Sequence, residues 1–540
     1  MPVITRKEWL WTLAWTVFIL IITSLPYLYG AMLSTPANQF GGFVLGVEDG
    51  NSYLAKMRLG AEGAWRFHLF YTSEPHQGAY LLLFHLLLGK LARLSGISLV
   101  VTYHLARLVC GFFLLLTIYY FIAFFTALRP VRRLAFWLIG LGSGLGWLVV
   151  ALGWADRLGL PLDFYSPEAF VFHLLLALPH LALALTLLLW TVLLLLWAWE
   201  RQQWRYACLA GFSLLAAATI AAFYVAIVAV VMGVGLLLRL WRRSHRLASW
   251  RLELAMLGLV LLMAMPVVLY NVYVFTTNPI FRLWAVQNRI LSPPPLHYLL
   301  AFGPLIALAV VGGWREWRHD PDRSLVLIGW CLAVPLLVYL PFNLQRRLVL
   351  GVQLPLSILA ALGWWRLSLR RQPDAAPGPV GASPAWRLGS MGLALLFSLS
   401  NLMILGGAFL TLRQTAPPLF QPGKLVEAAD WLGQHVAADE VVLAAYETGN
   451  YLPTRMAGRV FVGHGPETIY ADQKRAMVEQ FFSAGQDDFR RRLGREYDIT
   501  YLFYGPAERA LGDFSPAGVP YLAEVYNNGS VSIYRLVADR

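Results

Sequence analysis

Cysteine is almost absent. Cys110, Cys208 and Cys331 are the three in 540 residues, and each lies in an apolar stretch. That excludes a disulfide framework and a thiolate metal cluster. Charge is scarce too: 14% of residues are charged and 58% hydrophobic, with a mean hydropathy of +0.58, which excludes an ordinary soluble domain. The net charge of +13 is not gathered into a basic stripe. The bases sit in separate short loops, so nucleic acid is excluded as a partner. The first apolar run has no small-residue cleavage site after it and reads as a retained helix. There is no internal repeat.

What is present is a series of apolar runs of about twenty residues, the length needed to cross a hydrocarbon core ~30 Å thick. Many of the 21 Trp and 24 Tyr stand near the ends of these runs, where amphipathic rings favour the membrane interface. The spacing predicts about eleven spans: 9–29, 98–128, 134–153, 169–199, 206–222, 223–240, 251–274, 298–314, 323–341, 348–365 and 387–412. The pair within 206–240 divides one long apolar stretch without a turn signal. Gly78 to Gly89 is too short to span and reads as interfacial or re-entrant. Arg6 and Lys7 before the first run, and Arg129, Arg132 and Arg133 after the second, place the N-terminus in the cytoplasm. The first 412 residues carry 30 bases against 14 acids, an excess suited to anionic membrane lipids, and the rest carry 13 against 16. Residues 372–386 are a Pro/Gly/Ala linker. From 413 the pattern changes to short β-rich runs (Val441–Tyr446, Arg459–Val462, Thr500–Tyr504, Val531–Leu536) with helical stretches at 424–435 and 468–495. The expected organisation is a polytopic α-helical membrane domain over 1–412, with an external loop at 30–97, and a small extracytoplasmic α/β domain over 413–540.

Four external segments hold the candidate chemistry. The first, 30–97, carries Glu48-Asp49, Tyr53, Arg58, Glu74 and His76; the second, 154–168, carries Asp163 and Glu168. The third, 275–297, and the fourth, 342–347, carry arginines and no acid, the fourth ending in Arg346-Arg347. A carboxylate can take a proton from an acceptor, and arginine forks can hold a phosphate and stabilise charge on a leaving group. Together they suit transfer of a group from a phosphate-linked donor. Asp49 is the candidate base, with Glu48 the alternative and Lys56 or Arg58 available to pair with one of them. Arg346, Arg347 and Arg107 are candidates for the donor phosphate. Tyr53, Arg58, Glu74, His76, Asp163 and Glu168 are the further substrate-binding candidates. Each has a structural alternative: Glu48-Asp49 as a turn and cap, Glu74-Pro75-His76 as a loop pin, Asp163 and Glu168 as helix caps, Arg107 as a snorkelling side chain, and Arg346-Arg347 as interface anchors. Gly463-His464-Gly465-Pro466 reads as a turn rather than a site.

An early acid in the first external loop (Glu48-Asp49 with Tyr53), amphipathic helix after it, acids in a second external loop and an outer C-terminal domain together resemble the GT-C superfamily of polytopic glycosyltransferases, which includes protein O-mannosyltransferases and lipid A aminoarabinose transferases. The resemblance covers about the first 365 residues. It implies a polyprenyl-phosphate sugar donor, an extracytoplasmic glycan, lipid or protein acceptor, inversion at the anomeric centre, and residence in a bacterial plasma membrane. No Asp-x-Asp pair stands in either acidic loop, so no metal or other cofactor is assigned. The alternatives are a lipid or solute transporter, which the lack of a repeat disfavours, and a catalytically inactive GT-C relative.

Overall fold

Where a chain meets hydrocarbon, its backbone has to satisfy its hydrogen bonds internally, and helices do this. The computed structural model describes residues 2–242, 247–319, 321–370 and 383–537. Among them, eight helices are long and apolar enough to cross a membrane: Arg6–Leu33, Leu99–Phe125, Pro179–Arg201, Tyr224–Arg242, Trp250–Thr277, Pro295–Arg318, Gln345–Ser368 and Pro384–Leu412. Two shorter apolar helices, Trp204–Ile220 and Ser324–Leu337, accompany them. The protein is thus polytopic and mainly helical. The stretch 206–240 divides at Ala221, between Trp204–Ile220 and Tyr224–Arg242. Residues 372–382 of the expected linker lie outside the described residues.

Two expected spans are broken, for different reasons. In place of a helix over 134–153 there are Arg129–Gly140 and Gly146–Ala151. The intervening Leu-Gly-Ser-Gly-Leu leaves the helical path, and side chains elsewhere take up the released backbone groups. Gly144 and Gly146 N–H donate to Asp163 Oδ2 at 3.0 and 3.1 Å. Gln353 Nε2 donates to the carbonyls of Leu138 and Gly142, each at 3.0 Å, and Asn401 Nδ2 to that of Leu141 at 2.8 Å. A non-helical backbone buried in protein survives only with such partners. In place of one helix over 169–199 there are Val171–Ala177 and Pro179–Arg201. Pro179 pushes the residue before it out of the helical region, and Leu178 sits at φ −127°, ψ 80°.

The chain forms two compact units: Met1–Leu25, Leu105–Tyr270 and Ile290–Gly407 make the first; Pro26–His104, Asn271–Arg289 and Ala408–Arg540 the second. The first contains a leucine-rich helical core that includes Leu188, Leu189, Trp199 and Trp330. The second contains all the strands among the described residues. β1 (Asn38–Phe40) pairs antiparallel with β2 (Phe420–Pro422). β3 (Val441–Leu443), β4 (Arg459–Val460), β5 (Ile499–Tyr504), β6 (Leu522–Asn527) and β7 (Ser532–Leu536) form one sheet in the order β4-β3-β5-β7-β6. β3 is parallel to β4 and β5, and β7 is antiparallel to β5 and β6. Val441, Val442 and Leu443 are wholly buried, as a central parallel strand covered on both faces requires. β6 falls outside the four expected β runs; its pattern is mostly exposed, as at a sheet edge. The helical stretch at 468–495 resolves into Ala471–Phe482 and Asp487–Glu496, parted at Gly485, whose φ is +69°.

The second unit also holds the helices Val47–Ala61 and Leu83–Ser95. They cross closely: a Cβ on Gly60 would collide with the Leu86 backbone, and one on Gly89 with that of Met57. Leu83–Ser95 buries His85, Leu86, Gly89 and Ala92 and exposes Leu87, Leu91 and Leu94. With 13 residues it is an amphipathic helix, not a span.

Candidate functional site

Gly46 takes the left-handed conformation (φ 60°, ψ 52°) and starts the helix Val47–Ala61, so Glu48 and Asp49 fall in its first turn. Carboxylates are favoured there by the positive end of the helix dipole. Both meet residues that leave the carboxyl ends of parallel strands, where open α/β sheets place their ligands. Tyr446, three residues beyond β3, donates from its hydroxyl to Glu48 Oε2 at 3.0 Å. His464, four residues beyond β4, has Nε2 3.2 Å from Asp49 Oδ1. The Gly465 N–H donates to the same Tyr446 hydroxyl at 2.8 Å.

Behind this pair is a buried polar cluster. Glu467 Oε1 lies 2.6 Å from Lys56 Nζ and accepts from Ser52 Oγ at 2.7 Å. His464 Nδ1 faces the same oxygen at 3.8 Å. The side chains of Lys56, Glu467 and His464 are 4%, 5% and 5% exposed, whereas that of Asp49 is 60% exposed. Burial pushes the Glu467 carboxyl up, but Lys56 and His464 outweigh it and hold it below its ordinary value. Burial and the neighbouring Glu48 raise the Tyr446 phenol. A cavity of about 490 Å³ adjoins the cluster, lined by Gln287, Gly465, Tyr470, Asp472 and Arg475, among others. The Arg475 guanidinium lies 3.6 Å from the centre of the Tyr446 ring.

The expected pairing of Glu48-Asp49 with Lys56 or Arg58 is replaced by this arrangement. Lys56 is committed to Glu467, and Arg58 points the other way along its helix. Arg58 pairs with Glu62, one turn on, and donates from Nε to the Pro453 carbonyl at 2.9 Å. It is 7% exposed. Tyr53 stacks on His85 with ring centres 4.7 Å apart. Glu74 accepts from Lys474 Nζ at 2.7 Å and also bonds Thr72. Burial raises its carboxyl, and Lys474 more than reverses that. His76 accepts the Leu69 N–H on Nε2 at 2.9 Å and contacts the Glu74 carbonyl through Nδ1 at 2.9 Å. Glu74 thus ties this loop to the helix Ala471–Phe482, and His76 braces the loop's own backbone.

In the first unit, Arg107 is 2% exposed. It donates to the Leu175 carbonyl at 2.9 Å and Ser24 Oγ at 2.8 Å. An intramembrane cation needs such partners, and these bonds tie its helix to neighbouring ones. Asp163, wholly buried, holds the broken helix described above and also accepts from Ser400 Oγ at 2.6 Å. Burial raises its carboxyl despite these bonds. Glu168, by contrast, meets Arg347, whose Nε is 3.4 Å from Glu168 Oε1. Both arginines lie on the 3₁₀ turn Gln345–Val349. The Arg346 guanidinium sits 5.0 Å over the Tyr165 ring and has no carboxylate partner among the described residues.

Beside this turn is an apolar groove of about 750 Å³. Helices Tyr224–Arg242, Pro295–His319, Pro321–Leu337 and Gln353–Arg370 supply its walls. Tyr298, Tyr339 and Val349 line it near the arginine turn; Trp241, Trp314 and Trp317 line it farther along. Tyr298 is within electrostatic reach of Arg346, and Val349 belongs to the arginine turn itself. From Tyr298 to Trp317, on one helix, the rise is roughly 28 Å at 1.5 Å per residue.

Sequence reasoning missed Tyr446, His464 and Glu467. The signal available was topological: two of them follow short buried strands, and that matters only if those strands are parallel neighbours. Among the described residues no three His, Cys, Asp or Glu side chains are grouped to hold a metal ion.

These features define a polytopic membrane protein with an α/β unit that carries paired acids beside the carboxyl ends of its parallel strands, and a helical unit with an apolar groove beside an arginine turn. Its fold is that of the GT-C glycosyltransferases. The oligosaccharyltransferase of Archaeoglobus fulgidus in its apo form is similar over 92% of this chain and 69% of its own, at 11% identity and TM-score 0.56. The same enzyme tethered to an acceptor peptide matches at 12% identity and TM-score 0.51, over 91% and 69%. The arabinofuranosyltransferase AftD from mycobacteria is similar over 100% of this chain, at 18% identity and TM-score 0.54; the chain spans 42% of its length. No protein-family model matches the sequence, and no curated protein does.

Proposed function

We propose that this chain is an integral-membrane glycosyltransferase of the GT-C type, moving a sugar from a polyprenyl-phosphate-linked donor to an extracytoplasmic acceptor with inversion. The reading rests on the apolar groove beside the arginine turn. A groove this long, bounded by aliphatic and aromatic side chains and adjoining a guanidinium with no carboxylate partner among the described residues, suits an isoprenoid chain with a phosphate at its head. Arg346 and Arg347 bind the phosphate, with Glu168 keeping Arg347 in place. Asp49 takes the proton from an acceptor hydroxyl. The acceptor oxygen bonds to the anomeric carbon, and the bond from that carbon to the phosphate oxygen breaks, its electron pair remaining on the phosphate. Guanidinium groups stabilise that developing charge. Neither acidic segment carries an Asp-x-Asp pair, so no metal is assigned to the step. The basic residues Arg6, Lys7, Arg129, Arg132 and Arg133 support a cytoplasmic N-terminus, with the α/β unit outside a bacterial plasma membrane.

The test is sugar transfer from polyprenyl-phosphate donors by purified protein in lipid discs. Gly313 lines the groove, and a Cβ there would make only ordinary contacts, the nearest at 3.7 Å. Gly313→Leu fills the space and should weaken long-chain donors more than short-chain, water-soluble ones. Equal use of long and short chains by the unaltered protein would remove the groove from the mechanism.

A further inference from the structure

A carboxylate that is 60% exposed on the first turn of a helix has several rotamers open to it, and a base has to present one oxygen in one direction. His464 supplies the constraint. We propose that His464 is the positioning residue for Asp49: its Nε2 donates to Oδ1, which fixes the carboxylate plane so that Oδ2 receives the acceptor's proton. This rests on the reading of Asp49 as the base.

Three observations carry it. The contact is 3.2 Å, a hydrogen-bond distance that requires the proton on Nε2, since a bare Nε2 would meet the carboxylate lone pair to lone pair. The imidazole is itself held. Its side chain is 5% exposed, its ring meets that of Tyr71 at 5.4 Å, and its backbone N–H donates to Thr468 Oγ1 at 3.3 Å. On its far side, Nδ1 lies 3.8 Å from the Glu467 oxygen that Lys56 and Ser52 hold, beyond hydrogen-bond distance, so this side confines the ring by packing only. Thus a rigid buried cluster, drawn from the helix Val47–Ala61 and the turn after β4, ends on one oxygen of the candidate base. Glu48 is tied separately by Tyr446, so the two adjacent acids have distinct holders. When Asp49 takes the acceptor's proton at Oδ2, the bond at Oδ1 persists, and His464 neither gains nor loses a proton in the step.

The experiment is a double-mutant cycle on the full-length protein in lipid discs, reading kcat, donor KM and thermal midpoint. His464→Leu keeps bulk and removes the donor; His464→Gln places an amide N–H near the position of Nε2. With Asp49 present, His464→Leu should lower kcat about ten- to a hundredfold, the scale of a misplaced catalytic group, with donor KM unchanged. His464→Gln should recover to within about threefold of the parent. In an Asp49→Asn background His464→Leu should cost nothing further, because residues acting as one unit are not additive. Equal losses in both backgrounds, a glutamine variant as poor as the leucine one, or a fully active His464→Leu would each overturn the proposal. Should the leucine variant fail to insert, His464→Asn, whose amide falls short of Oδ1, replaces it. Full activity in Asp49→Asn alone would instead overturn the base assignment, a distinct outcome.

Discussion

Arg346 and Arg347 look alike in sequence but differ in surroundings, and Arg346→Ala isolates phosphate binding better. Arg347 is paired with Glu168, 6% exposed, so its removal strands a buried carboxylate and mixes a folding penalty into any binding loss. Arg346 has an aromatic ring on one face and no carboxylate partner among the described residues. Its removal strands no charge. A hydrogen bond to a charged group contributes about 1.5–3 kcal/mol, which converts at 1.4 kcal/mol per decade to roughly 10- to 150-fold weaker binding. Arg346→Lys should recover part of this, since an ammonium keeps the charge but not the planar fork. The assay is equilibrium binding of a polyprenyl phosphate without sugar to protein in lipid discs, which separates binding from catalysis. Raising salt should change the result little if the phosphate sits desolvated beside the groove. Parent-like binding by Arg346→Ala would refute the reasoning and leave Arg346 as an interface anchor.

Asp49→Asn, assayed by sugar transfer, should lower kcat by about 10² or more, as loss of a general base does, with binding of the donor phosphate intact. Lys56→Met should destabilise the second unit by ~3–5 kcal/mol, because it leaves Glu467 buried without its cation; denaturant unfolding measures this, and the double variant Lys56→Met/Glu467→Gln should regain part of the loss. Acidification should destabilise the same unit in two stages. Burial, with His76, Arg58 and Arg459 nearby, lowers His68 to about 4, so stability falls as pH drops from about 6.5 toward that value, where the unfolded chain binds the proton more readily. Glu74 and Glu467, held below their ordinary values, contribute stability above their unfolded pKa that is lost as pH falls through their folded ones; a thermal-midpoint profile against pH checks both. Residues 413–540 expressed alone should be protease-sensitive, since Asn450, Glu467 and Lys474 bury polar bonds to Asn51, Lys56 and Glu74; a protected fragment would contradict that.

The acids and the arginine turn were legible in the sequence because charge is conspicuous in a hydrocarbon-rich chain. Their partners were not. Lys56 and Arg58 were candidates to neutralise Glu48-Asp49 because they are near in sequence, yet helix periodicity turns Arg58 toward Glu62 and Lys56 toward Glu467. Arg107, Asp163 and Glu168 all read as polar residues near membrane segments. Only packing distinguishes an arginine bonded to a helix carbonyl, an aspartate satisfying a broken helix, and a glutamate on an arginine fork.

Composition and run length determined, by themselves, that the chain is polytopic and helical and that its C-terminal part is α/β, since those depend on local hydrophobicity and period. The local pattern also separated the short helix Leu83–Ser95 from the spans. Tertiary structure alone decided that the C-terminal strands belong with Pro26–His104 and Asn271–Arg289 in one compact unit. It alone decided that a parallel β3–β4 pair brings Tyr446 and His464 to acids some 400 positions earlier. The physical reason is that strand order and register follow from which apolar faces can be buried together. That is a property of the whole folded chain, and no window of sequence around Asp49 contains it.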